Sequence, residues 1–215
     1  MKYNAQELIE FYENFFDKCE EIDGFWDFLY ERDTDSFELF QEEITNSRFD
    51  SDVFGDFEVW YGVSKGVFYN SFFPNIVVKI PFLHEVGEDD LDYCQIEERN
   101  YQLAVEEGVE RFFAPMEYLT TCKGMSLYVM QYANVDTDYV SQSVETYLDE
   151  TGKTVDWSDR GAQTGELFLE QYLDHEDFLE LTKFLNKWSI GDLHEANVGF
   201  LEDNSIVLID YSDYY

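Results

Sequence analysis

Basic residues are scarce in this chain. Thirteen Lys and Arg stand against 48 Asp and Glu in 215 residues, a formal net charge of −35. A surface this acidic repels polyanions, which excludes direct binding to nucleic acid and to anionic membrane. It leaves open a basic protein partner, mimicry of DNA's charge, or a highly soluble surface with no partner. Cysteines are also few. Cys19, Cys94 and Cys122 are odd in number and scattered, without zinc spacing, and fit reduced, buried thiols in a cytoplasmic protein. No apolar run reaches the length of a membrane span. The opening M-K-Y-N-A-Q-E-L lacks the basic, apolar and small-residue regions of a signal peptide. What is abundant is apolar and aromatic surface, 45% and 19% of residues. That supplies a core and excludes disorder over most of the chain. The length suits one domain or one small two-lobed domain. Oligomeric state is not legible.

Residues 1–50 read as helical. Asn4 and Glu7 have capping-box spacing. Leu8, Ile9, Phe11, Tyr12, Phe15, Phe16 and Cys19 form a helical apolar stripe. Asp23-Gly24 interrupts it, and Phe25, Trp26, Phe28, Leu29, Phe37, Leu39 and Phe40 continue the pattern to about residue 44. This segment holds 15 acids and 4 bases, a net −11. Its apolar face predicts packing against the rest of the chain, and it is a candidate partner-binding arm. Residues 54–82 change character, with β-branched and aromatic runs punctuated by Gly62, Gly66 and Pro74-Asn75, and predict short antiparallel strands. One strand, V-V-K-I, carries Lys79 within an apolar run. A buried lysine is costly without an anionic partner.

Asp89-Asp90 are placed to cap a helix over about 90–107, stopped by Gly108, with Ile96, Leu103 and Ala104 inward. Residues 112–132 predict a further hairpin turning at Cys122-Lys123-Gly124. Residues 134–165 are polar and give little periodic signal. Residues 167–172 and 178–188 return to helical spacing.

The chain then reaches G-D-L-H-E-A-N at 191–197 and L-I-D-Y-S at 208–212. Asn197 lies five positions after Asp192, and Asp210 lies eighteen positions after Asp192. Two apolar runs, 198–201 and 206–209, flank E-D-N-S and predict a hairpin. Such a hairpin brings two acids and an amide to one spot, a set of hard oxygen ligands suited to Mg²⁺.

These two motifs resemble the catalytic loop and the second metal site of the protein-kinase-like fold. The form of the loop, with Gly191 before Asp192 and His194 after it, is similar to small-molecule kinases, aminoglycoside kinases among them, and to compact phage or bacterial kinases. The piece G-V-F-Y-N-S-F-F-P-N-I-V-V-K-I is similar to serine/threonine kinases of short-tailed phages. The resemblance covers about 55–215. It implies an α+β protein-kinase-like fold in three parts: a helical extension at 1–50, an antiparallel N-lobe sheet at 55–133, and a truncated helical C-lobe at 134–215. It implies Lys79 on the α- and β-phosphates of ATP, and Glu97 or Glu98 as the glutamate that holds Lys79, with the helical phase favouring Glu97. It also implies Asp192 as catalytic base, and Asn197 and Asp210 as Mg²⁺ ligands. The loop Gly62, Ser64, Lys65 and Gly66 stands where the family cradles the phosphates, although G-x-G-x-x-G is not present. Met130 is placed as gatekeeper, and Gln131, Tyr132 and Ala133 as backbone partners of adenine. Cofactors implied are ATP and Mg²⁺, and the location is cytoplasmic, the host cytosol if the source is viral. The sequence given holds no activation segment or A-P-E motif after Ser212.

Three functions compete. The first is a Mg²⁺-ATP-dependent phosphotransferase, a protein serine/threonine kinase of phage type acting on host proteins. The second is a pseudokinase, an acidic protein that binds and inhibits a host factor. The third is a DNA mimic of unrelated fold, which explains the charge and not the motif spacing. The phosphate acceptor is not legible.

Overall fold

Helix formation begins at Asn4, whose side-chain oxygen accepts from the Glu7 amide at 3.5 Å. The computed structural model describes residues 1–22, 25–31, 37, 38, 40, 42, 51–82, 91–154 and 164–212. Two units divide the chain. One takes 1–98 and 115–132, the other 99–114 and 133–215.

In the first unit, α1 (Ala5–Cys19) and α2 (Phe25–Glu31) precede a short α3 (Ser51–Phe54). Five strands follow in two groups, β1 (Phe57–Tyr61), β2 (Lys65–Asn70) and β3 (Ile76–Pro81), then β4 (Met116–Cys122) and β5 (Met125–Gln131). They form one fully antiparallel sheet in the order β1-β2-β3-β5-β4. The chain is therefore α+β. The β4–β5 hairpin closes on Lys123 and Gly124, with φ of 51° and 85°. Two successive left-handed residues match the twist of the flanking strands, and glycine adopts the second without a steric penalty.

Side-chain alternation gives the sheet two different faces. One carries Phe57, Val59, Phe68, Ile76, Val78, Ile80, Leu127 and Val129, and the buried stripe of α1 and α2 packs on it. The contact is largely ring on ring. Phe15 stacks on Phe57 at 4.5 Å between centroids, and Phe28 meets Phe82 edge-on at 5.4 Å. This is why the aromatic stripe of the N-terminal helices exists: in water it would be an exposed apolar patch. The other face carries Val67, Val77, Lys79, Tyr128 and Met130, by the pairings Val67↔Lys79, Val77↔Met130 and Lys79↔Tyr128. All six residues of β3 are buried, so this central strand is covered on both sides.

Helix α4 (Tyr93–Glu107) begins later than the sequence predicts. Its cap is Asp92, whose carboxylate accepts from the Gln95 amide at 2.8 Å while the Gln95 side chain accepts from the Asp92 amide at 3.3 Å. Asp89 and Asp90, the expected cap, lie outside the described residues. Gly108, with φ of 77°, ends the helix as expected.

The second unit holds α5 (Thr137–Thr151), α6 (Thr164–Tyr172), α7 (His175–Lys187) and a two-stranded hairpin, β6 (Val198–Phe200) with β7 (Ile206–Leu208). α5 occupies the stretch that shows least periodicity. Its buried residues are Val140 and Val144, one turn apart, and Asp136 caps the Tyr139 amide at 2.9 Å. Among the described residues no helix is long and apolar enough to cross a membrane.

Phe15 is fully buried between α1 and the sheet, in ring contact with Tyr12, Phe16, Phe25, Phe57 and Phe68. Phe15→Ala should therefore cost about 3–5 kcal/mol. Chemical denaturation of the two proteins would measure it. A loss below about 1 kcal/mol would mean that α1 is not part of the sheet's core.

Candidate functional site

Two clusters gather the polar residues singled out by sequence, one in each unit. In the first unit the cluster centres on Glu97. Helix α4 presents Cys94, Glu97, Asn100 and Ala104 along one buried stripe, a spacing of three and four residues. Glu97 has no exposed surface, and Lys79 and Lys65 are each only 4% exposed. Lys79 Nζ lies 2.9 Å from Glu97 Oε2 and 3.2 Å from Oε1. Lys65 Nζ lies 2.7 Å from Oε1. The lysine's expected partner, Glu97 or Glu98, is thus Glu97. Glu98 points elsewhere and accepts from the Tyr118 amide at 3.4 Å.

The position of Glu97 follows from what anchors α4. Asp92 caps the helix and also accepts from the Tyr128 hydroxyl at 3.2 Å. Tyr128 stands opposite Lys79 in the sheet. The start of α4 is thereby tied to β5 at the residue paired with the lysine that its glutamate meets. Burial pushes the Asp92 carboxyl up, against the opposing pull of hydrogen bonds from Gln95, Tyr128 and Cys94 and of the nearby Lys65 charge. Burial likewise pushes the Cys94 thiol well up, so it is inert packing beside the cluster.

Sequence reasoning placed Lys65 in a phosphate-cradling loop. The structure places it at the start of β2 with its ammonium on Glu97. Alternation from Val67 puts Lys65 on the Lys79 face of the sheet, a signal readable only once the register is known. Gly66 also lies in β2, paired with Tyr61 and Ile80. A β-carbon there would come within 3.1 Å of the Phe68 ring and 3.7 Å of Phe28, so its smallness serves the packing of α2. Ser64 is fully buried, and its carbonyl accepts from the Phe82 amide at 2.9 Å. Gly62 faces open space and donates to the Lys65 carbonyl at 3.0 Å.

Met130 is 1% exposed, on the lysine face and opposite Val77. Two of the three backbone groups expected to meet adenine already have internal partners. The Gln131 amide donates to the Pro115 carbonyl and the Tyr132 amide to the Asn75 carbonyl, each at 2.9 Å. Neither N–H is left for a ligand, which narrows that expectation to carbonyl oxygens and the Ala133 amide.

In the second unit the cluster is built on the β6–β7 hairpin and the loop before it. Ile190 and Leu193 are buried and pin that loop on either side of Asp192. The first turn of α6 presses on it. Gly165 N donates to the Leu193 carbonyl at 2.8 Å, and a β-carbon on Gly165 would stand 2.6 Å from the same oxygen. Backbone fills that space, so only glycine fits. The loop ends in a 3₁₀ turn, Glu195–Asn197, capped by His194, whose Nδ1 accepts from the Ala196 amide at 3.1 Å. That bond assigns the ring proton to Nε2 when the imidazole is neutral. Nε2 lies 3.7 Å from Asp192 Oδ2, beyond hydrogen-bond range. The Asp192 side chain is 35% exposed, so its carboxylate reaches solvent.

Asn197 is 4% exposed and joins the loop to the hairpin. Its side-chain Nδ2 donates to the Asp192 carbonyl at 2.7 Å, and its own carbonyl accepts from Ile209 at 3.0 Å. Asp210 is the next residue, half-buried, with Ser212 Oγ donating to its Oδ1 at 2.9 Å. The hairpin thus sets Asn197 and Asp210 at one end, and Asn197 holds the backbone of Asp192 beside them.

Among the described residues no group of three or more His, Cys, Asp or Glu is placed to hold a metal ion. That excludes an all-protein cage among them. Mg²⁺, if bound, would keep several waters and take one or two carboxylates together with substrate phosphates. Asn197, with Nδ2 committed to the loop, offers Oδ1, and Asp210 offers carboxylate oxygens.

No family model and no curated protein matches this chain. Among solved structures it is similar to the bifunctional kinase-methyltransferase WbdD, determined at medium resolution, with 17% identity and a TM-score of 0.26. The match covers 69% of this chain and 29% of that one, so the chain spans less than a third of that protein's length. A likeness this slight carries no argument about fold or activity.

The shared carboxylate predicts a non-additive pair. Lys79→Met leaves Glu97 on Lys65, and Lys65→Met leaves it on Lys79. The double substitution strips both cations from a buried charge and should cost about 3–5 kcal/mol, more than the two single losses together. Urea denaturation of the four proteins would measure this. Additive losses would show that the lysines do not share Glu97.

Proposed function

We propose that this protein is a Mg²⁺-ATP-dependent phosphotransferase, a protein serine/threonine kinase of phage type acting on host proteins. The observation that carries the reading is the buried pair of Lys79 and Glu97, a cation held in a covered strand by a helix. Evolution of a −35 protein has no structural need to bury lysine there, since a hydrophobic side chain of similar volume is often as stable. A held ammonium is what binding of phosphate requires. The spacing of Asp192, Asn197 and Asp210, together with their placement at one hairpin, supplies the second half of the argument.

In this reading Lys79 orients the α- and β-phosphates, and Glu97 keeps the ammonium in place. Asp192 accepts the proton of the acceptor hydroxyl as its oxygen takes the γ-phosphoryl group and ADP leaves. Mg²⁺, when bound with ATP, supplies positive charge across the phosphates, with Asn197 and Asp210 as its protein ligands. That charge matters more than usual in a protein this acidic, because the field of the whole chain opposes a triphosphate.

A second reading rests on the committed amides of Gln131 and Tyr132 and on the net charge. They favour an acidic, kinase-shaped protein that binds a basic host protein without transferring phosphate.

Nucleotide binding and γ-phosphate transfer separate the roles. Asp210→Asn should abolish the Mg²⁺-dependent thermal shift with ATP and lose transfer as well. Asp192→Asn should keep the shift and slow transfer by about 10²- to 10⁴-fold. Radiolabelled ATP with host lysate, run beside a pull-down, is the assay. Wild-type protein that captures a host partner but never transfers phosphate would replace the first reading with the second.

A further inference from the structure

The lysine face of the five-stranded sheet also carries a row of rings. Trp60 pairs with Val67, and Val67 with Lys79, so Trp60 stands on the same face as Lys79. Glu58 and Tyr69 pair two residues further along and share that face. Trp60 and Tyr69 lie 6.5 Å apart between ring centroids, and Tyr69 and Tyr132 5.1 Å, tilted at 47° and 44°. Trp60 is 44% exposed, and Tyr69 and Tyr132 are half-buried. Tilted contacts of this kind leave ring face uncovered. Cross-strand aromatic pairing stabilises a sheet. It does not by itself require the rings to share a face with buried lysines.

Strand β2 lays that face out in order. Lys65, Val67 and Tyr69 are alternate residues, and Lys65 to Tyr69 spans roughly 13 Å in four steps. Cations stand at one end, Val67 and its neighbour Val77 in the middle, and rings at the other. Glu58 marks the ring end, directly opposite Tyr69. Burial, and after it the nearby Tyr69 and Glu58, push the Tyr132 hydroxyl up, so this phenol stays neutral. An anion is drawn to the lysine end and repelled from the ring end. A nucleotide has the same polarity, with phosphates at one end, a flat base at the other and ribose between. Two of the backbone groups expected to meet the edge of that base are committed, since the Gln131 and Tyr132 amides donate to Pro115 and Asn75. The face of the base has rings to meet.

We infer that the aromatic row of Trp60, Tyr69 and Tyr132 holds the base of a nucleoside triphosphate by stacking, and that the site takes ATP and GTP alike. Every base has a π-face, so stacking binds without reading the base edge. This rests on the phosphotransferase reading for the triphosphate end and adds what holds the other end.

The test is calorimetric titration with ATP, GTP and inorganic tripolyphosphate, each with Mg²⁺, beside thermal unfolding of each protein. Wild type should bind ATP and GTP within about threefold of each other, and tripolyphosphate more weakly. Trp60→Ala and Tyr69→Leu should each weaken both nucleotides about fivefold or more and leave tripolyphosphate unchanged. Trp60→Phe, which keeps a ring, should recover most of the loss. Trp60 is the more exposed of the two, and its variants decide if Tyr69→Leu fails to fold. A preference for ATP over GTP beyond about tenfold would show that the base edge is read, and would overturn the inference. So would wild-type nucleotide affinity in Trp60→Ala, tripolyphosphate that binds as tightly as the nucleotides, or an equal loss of tripolyphosphate binding, which marks the rings as structural. Wild-type protein that binds none of the three is a different failure. It sinks the phosphotransferase reading itself.

Discussion

A carboxylate with no exposed surface stays ionised only with cations at hydrogen-bond distance. Glu97 has two, Lys65 and Lys79, and much of the first unit can be read as the arrangement that keeps them there. β2 and β3 must pair in the register that puts both lysines on one face. That face must be closed over the ammonium groups, and α4 must start at Asp92 so that its second turn delivers Glu97. Tyr128 joins these requirements, since it pairs with Lys79 in the sheet and holds Asp92 by its hydroxyl.

The N-terminal helices answer a different demand. Every residue of β3 is buried, so both faces of the sheet need cover. One face is closed by rings from α1 and α2, a layer whose energy comes from apolar area and whose geometry comes from edge and stacked contacts. Gly66 belongs to this layer, because Phe28 and Phe68 occupy the space its side chain would need. The polar face and the aromatic face are thus two sides of the same strands, and a slip of one residue in register would exchange them.

In the second unit the hairpin sets the polar residues, as the start of α4 sets Glu97 in the first. Its strands are only three residues long, too short to be stable alone. They are held by Asn134 bonded to Phe200 on one side and Ala114 bonded to Leu208 on the other. The loop before it is fixed by buried Ile190 and Leu193, by the close approach of Gly165 and by the side chain of Asn197. Asp192 is left half-buried among fixed neighbours, with part of its side chain reaching solvent.

The sequence by itself determined what depends on short range. The stripe of α1, the strand pattern of 54–82, the turn at Lys123-Gly124 and the hairpin around E-D-N-S are set by periodicity and turn chemistry within a dozen residues. The spacing of Asp192, Asn197 and Asp210 likewise needs no partner from elsewhere to be seen. Other features were decided by tertiary structure, because their causes lie far apart in the chain. Lys65 meets Glu97 across 32 residues, and Asn100 meets Tyr211 across 111. Nothing local marks either lysine or asparagine as paired. The amides of Gln131 and Tyr132 read as available until the backbone of Pro115 and Asn75 is placed beside them. α5 hid in a polar stretch because two valines and an aspartate cap give almost no periodic signal, and packing supplied the rest. Propensity and pattern act through neighbours in sequence, whereas burial, which makes a charge need its partner, exists only once the chain has folded.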